Sequence, residues 1–436
     1  MSGDVSIDIT PTDPLFDEEV RMAFSGLAPE REVDVAAEMS LDGRRWRATA
    51  TFEADADGSV DLTESAPVAG CYDGVRPMGL FQFMHPVGTA DDRDSWVATV
   101  DVTVEGPGTE AQRTVERRIK APDVAVSSVE HDDVVGTFFD PDVEQPASPV
   151  LVLGGSESSD PETLFAPLLA SRGHPTLELS YYGVDGLPSD LAEIPVEYFQ
   201  TAGAWLLDQS SVDDDAIDVL GKGRGADLAL FLGAHASEIE TVVAYNGSGI
   251  LLQGIPDGLH EPGPMVTLGG EALPCVRSDF GLRFLLEAFR CWVTGDPVEL
   301  RPIYERGLEN ARNEDVREAT IPIEGATGPV VQITGEDDRT RNVTELASVV
   351  EERLDSETGR DAHEHRRYDA AGYDVRAPYY PVTDRRTGQT VFPELTLDFG
   401  GSPDGYAEAD VDAWAVVTEY LARDSASTPE SDPKTK

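Results

Sequence analysis

One glycine-rich turn, residues 220–226 (LGKGRGA), constrains the fold of this chain more than any other stretch. It follows the apolar run 217–220, which is typical of a short buried strand. It precedes residues 226–233, which are apolar and favour a helix. A strand, a tight turn and a helix in succession are the unit of sheets whose strands run parallel beneath covering helices. The turn therefore predicts an α/β domain in this part of the chain.

The same turn has the spacing of a nucleophile elbow, G-x-S-x-G, in which a sharp strand-to-helix turn exposes the central side chain. Gly221 and Gly225 occupy the outer positions, but the central residue is Gly223, which has no side chain. The sequence therefore predicts an elbow that lacks its nucleophile.

Two other interpretations of the turn stay open. The dinucleotide fingerprint G-x-G-x-x-G/A also fits here, but the next strand ends in Asn246 rather than in an acidic residue. The fingerprint also belongs on the first strand of its sheet, whereas this strand comes later. The turn amides, with Lys222 and Arg224 beside them, offer a site for an anion such as phosphate.

Two patterns divide the rest of the chain. Residues 5 to about 122 alternate apolar and polar positions between turn signals, which predicts an antiparallel sandwich. From about residue 148, strand-like and helix-like runs alternate, which predicts a mostly parallel sheet with helices on both faces. The expected sandwich strands are 6–10, 18–25, 33–40, 46–52 and 96–104. The later strands are 150–153, 176–179, 217–220, 241–245, 329–334 and 364–368, and the helices are 162–171, 195–209, 343–354 and 412–423.

The predicted domain boundaries follow from these patterns. Residues 1–125 form the sandwich and residues 126–424 form the α/β domain. Residues 247–325 are a long excursion between two strands, the usual place for a cap over a site. Residues 425–436 are a polar tail for which disorder is expected.

The net charge of −50, from 83 acidic and 33 basic residues, excludes several classes of function. No basic patch is available for nucleic acid. The acidic residues are spread along the chain, which favours a protein adapted to a high-salt cytosol over an acidic partner-binding protein. The three cysteines suggest neither disulfides nor zinc, and no metal or cofactor is predicted. No apolar run approaches a membrane span, and the N-terminus is too polar for a signal peptide.

Short stretches along nearly the whole chain resemble, in order, those of one family: the acyl-CoA thioesterases and bile acid-CoA:amino acid N-acyltransferases. The stretches are 14–18 (PLFDE), 26–29 (GLAP), 74–80 (GVRPMGL), 180–183 (SYYG), 187–188 (LP), 197–199 (EYF), 246–249 (NGSG), 335–338 (GEDD), 377–381 (APYYP), 400–403 (GGSP) and 412–414 (DAW). The resemblance implies an N-terminal β-sandwich followed by an α/β-hydrolase domain. It also implies an acyl-CoA or related thioester as ligand.

The family's reaction is attack on a thioester by Ser or Cys, assisted by His and oriented by Asp. The resemblance implies that Gly223 occupies the nucleophile position and Tyr373 the histidine position, in the loop 372–381 (GYDVRAPYYP). It assigns the acid to Asp338, with Asp337 as the less favoured choice. It assigns the oxyanion-binding N–H groups to the turns at Gly155 and Arg224. Two of the three catalytic side chains are therefore expected to be missing.

Other side chains are weak substitutes for the missing groups. A phenol has an ordinary pKa near 10, so tyrosine is a poor base at neutral pH and Tyr373 is expected to fill the vacated space. His363 and His365 are predicted on an edge strand or the surface. The cysteines are predicted to be ordinary buried or half-buried thiols: Cys71, Cys275 and Cys291. Three hypotheses follow: a ligand-binding protein without hydrolysis, an enzyme that uses a substitute group, and a structural partner of an active paralogue.

The charge generates a prediction about salt. We expect the melting temperature to rise steeply between about 0.1 M and 2 M KCl, because the screening length falls from about 10 Å to a few ångströms. Repulsion among the surplus carboxylates should be strongest in dilute buffer. Differential scanning fluorimetry across a KCl series measures this, and a flat series would remove the high-salt interpretation.

Overall fold

The computed structural model describes residues 5–90, 96–106, 109–131, 134–155, 164–212, 214–255, 262–355, 363–389 and 395–422. The start of the helix predicted from residue 162 and the predicted tail at 425–436 lie outside these residues. Within them, no helix is both long enough and apolar enough to cross a membrane.

The N-terminal residues form two packed antiparallel sheets, so the predicted sandwich is confirmed. One described sheet has the order β1-β2-β5, and the other has the order β6-β4-β3-β8-β9 with β7 beside β4. Apolar residues alternate along β3, where Val33, Val35 and Ala37 are buried and face the core. The strands are β1 Ser6–Thr10, β2 Arg21–Ser25, β3 Glu32–Leu41, β4 Arg44–Glu53, β5 Val60–Asp61, β6 Ala69–Gly70, β7 His85–Thr89, β8 Val97–Gly106 and β9 Thr109–Arg118.

The C-terminal part is built on a sheet of eight described strands, in the order β10-β11-β13-β12-β15-β16-β19-β20. The first two strands are antiparallel, and the strands from β13 to β20 pair in parallel. The strands of this sheet are β10 Val124–His131, β11 Val134–Pro141, β12 Val150–Leu153, β13 Thr176–Ser180, β15 Ile217–Lys222, β16 Ile239–Tyr245, β19 Val330–Gly335 and β20 His363–Tyr368. Short strands outside it are β14 Ile194–Pro195, β17 Val266–Leu268, β18 Glu271–Ala272, β21 Thr387–Gln389 and β22 Thr396–Asp398. The predicted mostly parallel α/β domain is confirmed.

The predicted helices are present, with one start misplaced, and α1 and α5 to α7 were not predicted. The described helices are α1 Gly79–Gln82, α2 Phe165–Ala170, α3 Val196–Leu207, α4 Arg224–His235, α5 Leu282–Thr294, α6 Arg301–Asn310, α7 Asn313–Ala319, α8 Val343–Asp355 and α9 Pro403–Leu421. The prediction that the last helix begins at residue 412 is wrong. The Ser402 hydroxyl accepts a hydrogen bond from Gly405 N at 3.1 Å, and Pro403 is the first helical residue. Serine at the N-cap and proline at N1 are ordinary helix-start signals, and here they outweigh the apolar run further along.

The excursion, residues 247–325, contains β17, β18 and helices α5 to α7. It leaves the sheet after β16 and returns before β19. It approaches the elbow through Ile255, Leu300 and Tyr304, which lie beside Gly223. The excursion therefore contributes to the wall of the cavity at the elbow, and its role as a cap stays a prediction.

The two parts of the chain share one core. Gln82, in the sandwich part, donates from Nε2 to Ala407 O at 3.2 Å and accepts from Val382 N at 2.8 Å. Arg117 is fully buried, donates to Tyr379 O at 3.3 Å and lies with its guanidinium 3.8 Å from the Phe16 ring. The sandwich therefore holds residues 371–386, here called the Tyr373 loop, against the larger sheet.

Candidate active site

The elbow has the backbone conformation that its glycines predict. Strand β15 ends at Lys222, and α4 begins at Arg224. Between them Gly223 has φ 57° and ψ −114°, a conformation that side chains make costly. The outer glycines allow close packing, because a Cβ on Gly225 would lie 2.3 Å from Leu153 O and one on Gly221 would lie 2.2 Å from Gly225 O.

The phenol of Tyr373 occupies the space in front of this turn. A Cβ built on Gly223 would lie 2.6 Å from Tyr373 Oη, and a Cβ on Gly155 would lie equally close, at 2.6 Å. The tyrosine is only 6% exposed, and its ring centroid is 5.1 Å from that of Phe399. The structure therefore brings Gly155, Gly223 and Tyr373 together and fills the space in front of the turn with an aromatic ring.

A buried ion pair fixes the loop that carries this tyrosine. Lys222 Nζ, beside the elbow glycine, is 2.5 Å from Asp374 Oδ1. Arg376 donates from Nε to both oxygens of the same carboxylate at 2.9 Å. Burial alone would raise the pKa of Asp374, but the charges of Arg376 and Lys222 hold it well below its ordinary value. Sequence reasoning missed this cluster, although Lys222 is one of only four lysines in the chain.

Asn246 links the same loop to the neighbouring strands. Its Nδ2 donates to Tyr373 O at 2.8 Å, and its Oδ1 accepts from Gly335 N at 2.9 Å. Its φ of 51° lies in the left-handed region, which Asn tolerates better than most residues. The family stretch that begins at Asn246 therefore has a positioning role that the sequence did not reveal.

The two candidate acids lie in different environments. Asp337 is 40% exposed, pairs with Arg339 at 3.3 Å and accepts from Gly401 N at 2.9 Å. Asp338 is buried, and its Oδ1 accepts from Thr340 N at 2.6 Å and from Thr340 Oγ1 at 2.7 Å. Among the described residues, no group donates a hydrogen bond to Asp338 Oδ2. Burial raises the pKa of Asp338 to about 6, against the opposing effects of its hydrogen bonds and of the nearby Arg341.

A cavity of about 50 Å³ adjoins the elbow, and two arginines contribute to its wall. Arg341 donates to Asp227 Oδ2 at 2.7 Å and to Asn246 O at 2.5 Å. Arg224 donates from Nη2 to Leu252 O at 3.1 Å, and its Nη1 lies 3.4 Å from Asp227 Oδ2. Arg224 is only 3% exposed, yet its Nε and Nη1 make no hydrogen bond with any described residue. The lining residues are Gly223, Arg224, Ile255, Leu300, Tyr304, Thr340, Arg341, Tyr373, Leu397 and Phe399.

The histidines and cysteines considered as substitutes do not line this cavity. His363 and His365 lie on β20, the edge strand, and His365 Nε2 is 2.9 Å from Thr334 Oγ1. Burial and the nearby Arg367 lower the pKa of His365 to about 4, and burial also lowers the pKa of His363. The three cysteines are free, and burial raises the pKa of each thiol. In the described ranges no cluster of His, Cys, Asp and Glu could hold a metal ion.

Comparison with known families identifies the chain's relatives. Residues 194–426 match the family described as "BAAT / Acyl-CoA thioester hydrolase C terminal". Residues 17–131 match "Acyl-CoA thioester hydrolase/BAAT N-terminal region". The chain belongs to this acyl-CoA thioester hydrolase family. The resemblance predicted from the short stretches is confirmed, and so is the fold of a β-sandwich followed by an α/β-hydrolase domain.

Relatives match over nearly the full length. The peroxisomal succinyl-coenzyme A thioesterase of Mus musculus is 28% identical and covers 97% of both chains. The bile acid-CoA:amino acid N-acyltransferase of the same organism is 28% identical, over 94% of this chain and 96% of its own. Among solved structures, a dienelactone hydrolase from Klebsiella pneumoniae is 12% identical with a TM-score of 0.42, over 69% of this chain and 98% of its own.

The buried acid generates a prediction about pH. The folded protein holds the Asp338 proton more tightly than the unfolded chain, so its contribution to stability falls as pH rises from about 4 to about 6. Asp338→Asn removes this titration while its amide oxygen can still accept from Thr340. The difference in unfolding free energy between the variant and wild type should be about 2.5 kcal/mol more favourable to the variant at neutral pH than at pH 4.

Urea unfolding of both proteins at the two pH values measures this difference. Asp337→Asn is the matched control, because Asp337 is partly exposed and paired at the surface. An Asp338→Asn variant that is less stable than wild type at neutral pH, with no change toward pH 4, would contradict the argument.

The elbow geometry generates a second prediction. Gly223→Ser should lower the unfolding free energy by roughly 1–3 kcal/mol, because its backbone conformation is strained for a side chain. Its Cβ would also meet Tyr373 Oη at 2.6 Å. Adding Tyr373→His should recover part of this loss by removing the phenol, and the double variant should release thiol from acyl-CoA. Thermal melting and thiol detection in high salt provide the measurements, and a neutral or stabilising Gly223→Ser would show that the elbow is not strained.

Proposed function

We propose that this chain binds an acyl-CoA or related thioester without hydrolysing it efficiently. The observation that carries the proposal is the position of the Tyr373 phenol. It occupies the space in front of Gly223, where the nucleophile would be, next to a cavity that Arg224 and Arg341 help to line. Membership of the acyl-CoA thioester hydrolase family supplies the class of ligand.

Loss of hydrolysis follows from the side chains at the elbow. Gly223 has no nucleophilic atom, and Tyr373 is a poor substitute for histidine as a base. In a comparable triad, removal of the nucleophile or of the base alone lowers turnover by about 10⁶. In this proposal Asp338 keeps the position of the acid, but no imidazole lies beside it to be oriented. Thioester cleavage should therefore be close to the uncatalysed rate.

Retention of a ligand is supported by two N–H groups of Arg224 that make no hydrogen bond with a described residue, although one of them, Nη1, lies 3.4 Å from Asp227 Oδ2. Buried N–H groups nearly always have a hydrogen-bond partner, because an unpaired one costs about 1–3 kcal/mol. The Nε and Nη1 groups of Arg224 have none among the described residues, although the side chain is buried at the cavity wall. A carbonyl or carboxylate oxygen of a bound thioester would complete these hydrogen bonds. The cavity is small, so binding requires the Tyr373 ring or the excursion to move.

A second candidate function has one observation in its favour. Tyr373 Oη is a hydroxyl 2.6 Å from where a Cβ on Gly223 would lie. It is therefore the group best placed to act as a substitute nucleophile, through an ester between the acyl group and the phenol oxygen. This candidate predicts measurable thiol release that Tyr373→Phe abolishes, whereas the binding proposal predicts negligible release in both proteins.

The test is a thermal shift in high salt with free CoA, succinyl-CoA and a long-chain acyl-CoA. A ligand at 100 times its dissociation constant should stabilise the folded protein by about 2.7 kcal/mol. We expect an acyl-CoA to raise the melting temperature of wild type and to have little effect on Arg224→Gln. Thiol detection on the same samples should remain at background.

Arg47→Gln is the control, because Arg47 is an arginine of the sandwich that is 50% exposed. It should keep the full ligand shift. If no acyl-CoA shifts the melting temperature of wild type, the binding proposal fails and a structural role beside an active paralogue becomes the better hypothesis. Thiol release by wild type that Tyr373→Phe removes would instead favour the second candidate.

A further inference from the structure

Helix α5 of the excursion exposes a continuous apolar face. Its opposite side packs Phe284 and Cys291 into the local core. The outer side chains are between 45% and 72% exposed, which is unusual for residues of this size. We call this face the cap stripe; its members are Phe280, Leu282, Leu285, Leu286, Phe289, Trp292 and Val293.

The spacing of the cap stripe makes it one surface rather than scattered residues. Relative to Leu282, the members within the helix lie at positions three, four, seven, ten and eleven, which is the repeat of one helix face. Phe289 and Trp292 also touch each other, with ring centroids 6.0 Å apart. A helix that is apolar on both sides is expected to be buried on both sides. In the described structure only one side is covered.

The charge around the cap stripe differs from that of the whole chain. Helix α5 contains two arginines, Arg283 and Arg290, and one glutamate, Glu287, in a chain whose net charge is −50. Arg290 pairs with Glu287 at 2.7 Å and with Asp296 at 2.8 Å. Two copies of such an acidic chain repel each other over most approaches. If two copies approach each other along α5, no rows of carboxylates are brought face to face.

The exposed apolar area of the cap stripe is a substantial part of what a specific dimer needs. An aromatic side chain buries about 150–250 Å² when fully covered, so the three aromatic members, each about half exposed, alone present roughly 300 Å². Standard interfaces bury about 800 Å² per partner. A two-fold axis would let the same face serve both copies, with the two helices packed against each other.

We infer that the cap stripe is the interface of a symmetric homodimer, with a second copy of this chain as its occupant. High salt favours this association in two ways. It screens the repulsion between two chains of like charge. Salts that are excluded from protein surfaces also strengthen the burial of apolar groups. The dimer should therefore be most stable in concentrated salt and dissociate on dilution of the salt.

Sedimentation equilibrium of the full chain in high salt, across a wide range of protein concentrations, tests this inference. Wild type should have twice the mass of one chain. Phe289→Glu and Leu286→Glu should each halve this mass. Phe289→Arg should do the same, because the effect comes from a charge buried in the apolar interface rather than from added negative charge. Circular dichroism melts establish that each variant is folded.

Val87→Glu is the matched control, since Val87 is 50% exposed on β7 of the sandwich, and it should leave the mass unchanged. A monomeric wild type in high salt would overturn the inference, and so would cap-stripe variants that keep the doubled mass. Loss of the dimer in Val87→Glu as well would show that the cap stripe is not the interface. A monomeric wild type that pellets with phospholipid vesicles would identify a lipid surface as the occupant and also overturn the inference.

Discussion

The buried ion pair between Lys222 and Asp374 is the interaction on which the site depends. Lys222 is the last residue of the central strand β15, and Asp374 directly follows Tyr373 in the Tyr373 loop. Breaking such a pair by removing one partner typically costs about 3–5 kcal/mol, because it leaves an uncompensated buried charge. Arg376 shares the carboxylate, so the cluster as a whole is cationic. The elbow and the Tyr373 loop are thereby fixed relative to each other, and the phenol has little freedom to leave the space in front of Gly223.

The buried carboxylate of Asp338 differs from that of Asp374, because burial raises its pKa whereas neighbouring cations lower the pKa of Asp374. One of the Asp338 oxygens has no hydrogen-bond partner among the described residues. In a complete triad an imidazolium would stabilise such a charge. If Asp338 takes the position of the acid, as proposed, it carries the cost of burial without that partner. Near it, the Nε and Nη1 groups of Arg224 also make no hydrogen bond with a described residue, although Nη1 lies 3.4 Å from Asp227 Oδ2.

The sandwich and the excursion support the site from opposite sides. The sandwich holds the Tyr373 loop through Arg117 and Gln82, so loss of the N-terminal domain would release the loop as well as expose apolar surface. The excursion contributes Ile255, Leu300 and Tyr304 to the cavity wall, and it carries the cap stripe on its outer surface. A second copy packed on the cap stripe would restrain the excursion, whose movement is one of the two ways proposed for the cavity to admit a ligand.

The sequence by itself determined the fold class, the family and the identity of the residues in the elbow. These follow from periodicity, from glycine spacing and from short ordered stretches, all of which are local properties of the chain. It did not determine the start of α9, because a serine–proline cap outweighed the apolar run from which the helix was predicted. Only the tertiary structure decided that Tyr373 Oη lies against Gly223 and Gly155, that Asp374 pairs with Lys222 across 152 positions, and that one side of α5 remains uncovered. Such contacts join residues far apart in sequence, and their energies come from burial and charge pairing, which no local pattern contains.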